Sequence, residues 1–108
     1  MDTPTLADVN IRGVAQRLIE KRLRRNSENL KQLQIELTLL DEQLAALSED
    51  ANDKEMRSLV SETPLALHEF RDAQKHVDAL QEQRSYLVRA IAEQKESQDE
   101  LLDKLGNN

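Results

Sequence analysis

The chain has 108 residues, 33% of them charged, with a net charge of −6 and no cysteine. That length bounds it to one structural unit, and the missing thiols exclude a disulfide framework, a thiolate zinc site and a cysteine nucleophile. Eighteen leucines stand against only two aromatic residues, Phe70 and Tyr86, and since each ring would bury roughly 150 to 250 Å², the composition predicts a rod and not a globule.

Nowhere does the sequence hold the run of about 18 apolar residues that a membrane span needs, and Met1 to Ile11 carries acidic residues in place of an apolar stretch. The expectation is a cytoplasmic protein with no signal peptide and no membrane partner. With glycine only at positions 13 and 106, there is no phosphate-cradling loop, and a narrow rod offers no pocket for chemistry. No enzymatic activity and no cofactor are expected.

Thr5 and Asp8 have capping-box spacing with Pro4 just outside, which starts a first helix near Leu6. Its early apolar residues, Ile11, Val14, Leu18 and Ile19, are out of phase with the later part of the helix, and Gly13 costs about 1 kcal/mol relative to alanine inside a helix. Beyond this slip, apolar residues recur at alternate steps of three and four. Leu23, Leu30, Leu33, Leu37, Leu40, Leu44 and Leu47 fill seven of eight such positions, with Asn26 the exception. The first helix is therefore predicted over 6–48.

A turn containing a short helix is predicted over 49–63, because Asn52 and Glu55 again have capping-box spacing before Met56, Leu59 and Val60. Thr63 then reads as an N-cap with Pro64 at the first helical position, where its missing N–H does no harm. From Ala66 to Leu105 the same spacing returns, filled by apolar residues at nine of twelve positions and interrupted by Arg84, Gln94 and Gln98. The second helix is predicted over 64–105, with 106–108 a disordered end after the terminating Gly106.

A repeat of 3.5 residues held this long is the mark of helices packed seam to seam. Two helices of about 42 residues would each rise about 63 Å, and their matched lengths favour an all-α antiparallel two-helix coiled-coil hairpin. In a hairpin turning at 49–63, Arg22 would face Ala90, and Arg84 would fall near Asn26 to Leu33 with Glu28 as its partner. Arg84, Gln94 and Gln98 read as polar layers that set the register. Ile35, Leu39, Leu67, Val88 and Leu102 lie off the seam and widen the apolar stripe beyond what one partner helix covers, which predicts dimerisation into a four-helix assembly.

Charge is divided along the chain. Residues 12–31 carry seven basic side chains against two acidic, and residues 36–55 carry seven acidic against one basic. Arg17, Lys21, Arg24 and Lys31, with Arg25 beside them, form a basic stripe suited to an acidic protein or to phosphates. It has no aromatic stacking groups and no reading motif, so nucleic acid is a possible partner but not the favoured one.

Glu49, Asp50 and Asp53 fall in the predicted turn. As an EF-hand the segment fails, with Glu55 where glycine is required and Ser61 where a bidentate glutamate is required. Acidic residues at the end of a long helical hairpin resemble the tips of the bacterial RNA polymerase secondary-channel regulators; the resemblance implies that Asp50 and Asp53 would approach the polymerase active-site magnesium. It covers about four residues and brings no zinc-binding or globular second domain with it. His68, Asp72 and His76, spaced by four, form one row along a helix, but no further histidine or cysteine completes a metal site.

The sequence thus predicts a non-enzymatic protein-protein interaction or adaptor protein, dimeric, with an unidentified protein partner. A transcription regulator acting through an acidic tip is the alternative, and a basic-face nucleic-acid binder the second.

Overall fold

The computed structural model describes residues 5–106, and the side chains of these except for residues 6–9. It is a helical hairpin of two long helices, α1 (Leu6–Ser61) and α2 (Pro64–Gly106), with no strand among the described residues. The proposed Thr5–Asp8 capping box depends on the side chain of Asp8, which lies outside the described residues. So do Asn107 and Asn108 of the predicted disordered end, whereas Gly106 belongs to α2.

The first helix does not stop at Ser48. It continues for a further 13 residues, to Ser61, and no separate short helix comes after it. The physical reason is that its seam keeps phase: seven residues beyond Leu44 comes Ala51, and seven beyond that Ser58, both turned inward while Asn52, Asp53 and Glu55 stay in water. Ala51 is among the most deeply buried side chains, at 2% exposure. Local bonds carry the polar residues through the helix. Lys54 Nζ reaches Asp50 Oδ2 one turn away at 3.0 Å, and the hydroxyls of Ser58 and Ser61 donate to the carbonyls of Glu55 and Arg57, each at 2.7 Å.

The reversal takes two residues. Glu62 adopts a left-handed backbone, φ 53°, while its N–H still donates to the carbonyl of Ser58 at 3.1 Å. This is the position after a helix where glycine is usual, because a Cβ makes left-handed geometry costly. Thr63 then caps α2 as its sequence predicts: its Oγ1 accepts from the Ala66 N–H at 3.2 Å, and its carbonyl accepts from Leu67 N–H at 3.2 Å.

The hairpin divides into two compact units. One comprises 33–90 and contains the turn. There Ala51 packs with Ala73 and Val77, with Leu44 against them, and Asp41 bonds Arg84. Low numbers on α1 meet high numbers on α2, so the helices are antiparallel. Ala66 and Ala73 are also buried near the turn, and Leu40 and Leu87 farther from it.

The other unit comprises 1–32 and 91–108. Ile91 and Leu101 are buried there, and Leu23 and Leu30 half-buried. Ile11, Val14 and Leu18 are exposed while Ile19 is half-buried, so the phase slip anticipated near residue 18 turns the early apolar residues away from the seam.

Moving the turn changes which residues face one another. Arg84 lies opposite Asp41 rather than between Asn26 and Leu33, and its partner is Asp41 instead of Glu28. Asn26 faces Gln94. The error comes directly from ending α1 too early, since every pairing across an antiparallel hairpin shifts with the position of its turn.

Candidate interaction surfaces

Glu49, Asp50 and Asp53 are exposed on α1 itself, not at the turn. The turn comes nine residues after Asp53 at Glu62, about 13 Å along the helix at 1.5 Å per residue. Exposed apolar side chains lie closer to it. Met56, Leu59, Val60 and Leu65 are 64%, 66%, 83% and 67% exposed. Thus Glu49, Asp50 and Asp53 do not form the tip expected from the sequence: exposed apolar side chains lie nearer the turn, among Arg57, Ser61 and Glu62, and the carboxylates line a helix flank with Asp50 engaged by Lys54.

Arg17, Lys21, Arg24 and Arg25 are all exposed on α1, as are Arg12, Arg22 and Lys31. Among the described residues the close contacts between basic or histidine side chains and carboxylates are Lys54–Asp50, His68–Asp72 and Arg84–Asp41, so none of these seven cations is paired within 4 Å. The carboxylates of Glu93, Glu96, Asp99, Glu100 and Asp103 on α2 are equally unpaired. Among the described residues, no ion pair within 4 Å joins these cations to these carboxylates. The division of charge leaves a basic surface on one helix and an acidic one on the other.

A polar layer crosses the seam in the unit of 1–32 and 91–108. Asn26, 5% exposed, donates through Nδ2 to both the carbonyl and the Oε1 of Gln94, at 3.0 and 2.9 Å. Its Oδ1 is buried and has no hydrogen-bond partner. Beside it runs a groove of about 320 Å³, lined among others by Arg22, Arg25, Asn29, Ser97 and Lys104. The two amides bond each other across the seam beside this space. The sequence marks Asn26 and Gln94 only as interruptions; their pairing becomes visible once the register is known.

Arg84, the other interruption, escapes the desolvation penalty of a buried charge by leaning out. Its Nε donates to Asp41 Oδ1 at 2.7 Å with both side chains a little under half exposed. His68 Nε2 lies 3.2 Å from Asp72 Oδ2, again in water. Among the described residues no three histidine or acidic side chains gather as metal ligands, and no helix is long and apolar enough to cross a membrane.

Comparison with protein-family models, with curated proteins and with solved structures finds no match.

Proposed function

We propose that this chain is a non-enzymatic interaction or adaptor protein, self-associating as a dimer, that presents the faces of a helical hairpin to protein partners. The observation that carries this reading is where its apolar side chains lie. Among the described residues, fourteen large apolar side chains are exposed, whereas the buried seam holds eight apolar residues, three of them alanine. Scattered exposed leucines are ordinary, but Met56, Leu59, Val60 and Leu65 gather near the turn, and clustered apolar surface favours contact with other proteins.

The experiment is purification of the tagged protein from its native cells at moderate salt with nuclease treatment, beside sedimentation of the pure chain. The reading expects a mass of about twice 12.4 kDa and a co-purifying protein that survives nuclease. A monomer that retains only nuclease-sensitive, salt-released material would overturn it. That outcome would favour the second reading, nucleic-acid binding by the basic stripe, which is supported by seven α1 cations without ion-pair partners and would weaken steeply with salt. A role for Asp50 and Asp53 at a polymerase active site would require them to lead the hairpin, and Met56, Leu59 and Val60 lie nearer the turn.

A further inference from the structure

The polar layer of the unit formed by 1–32 and 91–108 borders a groove of mixed chemistry. This groove, of about 320 Å³, is lined by three cations, Arg22 and Arg25 from α1 and Lys104 from α2, and by a single carboxylate, Glu100. All four side chains are exposed, and no ion pair within 4 Å joins Glu100 to any of the three cations. Basic side chains gathered around one concavity raise its positive potential, and each keeps hydrogen-bond donors to spare. Arginine adds a planar fork that matches the paired oxygens of a carboxylate or phosphate. That chemistry calls for an anion.

A second feature of the groove asks for more than charge. Asn26 also lines it and is 5% exposed. Its Nδ2 is engaged by Gln94, while its Oδ1 is buried with no hydrogen-bond partner, alone in this among the described side chains. An acceptor left unmet in this way is costly, and the neighbouring cations, although donors, do not meet it. Oδ1 is out of contact with solvent, so a donor reaches it only after a rotamer change among the side chains around it. Arg22, Arg25 and Lys104 are long and exposed, and such changes are fast.

We propose that this groove binds a small anion carrying its own hydroxyl, inorganic hydrogen phosphate being the simplest, with Arg22, Arg25 and Lys104 taking up its charge and its hydroxyl donating to Asn26 Oδ1. An anion made of acceptors alone, such as sulfate or a nucleic-acid phosphodiester, would bring its oxygens against Oδ1 and leave that atom unmet. Hydrogen phosphate keeps a P–O–H at neutral pH. The basic stripe of α1 would attract any phosphate by charge, whereas this groove selects by the proton. The site goes beyond the reading of the chain as an interaction protein and does not depend on it.

The test compares inorganic phosphate with sulfate and dimethyl phosphate at constant ionic strength and one fixed protein concentration, through the rise in thermal midpoint that a bound ligand produces. Hydrogen phosphate should bind at least about fivefold more tightly than sulfate, the low end of what one met acceptor is worth. Lys104→Gln should weaken both anions, because it removes charge. Asn26→Ala should bring phosphate down to the sulfate level and leave sulfate unchanged, a split that a purely structural role for the amide would not produce. Circular dichroism verifies that both variants keep their helix content. Equal affinity for phosphate and sulfate, or dimethyl phosphate binding as tightly as hydrogen phosphate, would reduce the groove to a general attraction for anions and overturn the site. A midpoint that does not rise with phosphate at about 20 mM would overturn it too.

Discussion

Replacing Asn26 by leucine should make the protein more stable, and the magnitude can be worked from its surroundings. The substitution removes two hydrogen bonds to Gln94, worth about 1 kcal/mol each in net terms. It also removes a buried oxygen that has no partner, whose desolvation costs about 1 to 3 kcal/mol. Burying leucine in place of the amide adds about 1.5 to 3 kcal/mol, and the adjoining groove of about 320 Å³ gives the larger side chain room. Gln94 is only partly buried, so its freed amide can turn to water. The terms sum to a net gain of about 0.5 to 4 kcal/mol. Urea denaturation monitored by circular dichroism, at one fixed protein concentration, measures it. A loss of 1 kcal/mol or more with helix content preserved would show that Oδ1 is satisfied in solution and that the layer is a stabilising network. The gain should carry a cost in uniqueness, because a polar pair on a seam penalises the registers that separate its members.

Other substitutions test the remaining parts of the fold. Leu87→Ala, at a side chain 3% exposed, should cost about 2 to 5 kcal/mol in the same denaturation assay, and Leu37→Ala, only half-buried, clearly less. Glu62→Gly should stabilise by about 0.5 to 1 kcal/mol, since glycine adopts φ 53° without a Cβ penalty; a loss there would mean that the turn relaxes in solution. Removing either member of the Arg84–Asp41 pair should cost no more than about 1 kcal/mol, and a double-mutant cycle should return a small, salt-sensitive coupling, because both side chains are well solvated.

How far the sequence foretells this structure depends on the kind of signal. The seam of α2 is legible residue by residue from Ala66 to Leu105: of its twelve positions only Arg84 is exposed, and the spacing alone identifies them. Its start is legible too, since Thr63 and Pro64 have few other uses in that order. The end of α1 misleads because Asn52 and Asp53 resemble turn residues, whereas the decisive signals are quieter. No glycine or proline interrupts 14–63, and the heptad continues through Ala51 and Ser58, whose small or polar side chains do not announce a seam. That one misplacement moves Glu49, Asp50 and Asp53 to the tip, and carries Arg84 to the wrong partner. The candidate surfaces are less legible than the fold: exposure of Arg17, Lys21, Arg24 and Arg25 follows from their phase, but their lack of ion-pair partners depends on where α2 ends up.

A two-helix hairpin also has a physical reason to seek a second copy. No large side chain among the described residues falls below 2% exposure, because one helix can shield only a strip of another and the flanks of the seam stay wet. Conformational entropy is lost over both helices all the same, at about 1 to 2 kcal/mol per residue, so each apolar side chain left in water weakens the margin. Self-association would bury part of the exposed apolar surface, and that burial stabilises the folded chain only while it is paired. The thermal midpoint should therefore rise with protein concentration, as it does whenever folding is linked to association. Differential scanning calorimetry from about 5 to 500 µM measures the slope. A midpoint independent of concentration would mean that the seam alone sustains the fold and that the exposed apolar side chains are left for a different partner.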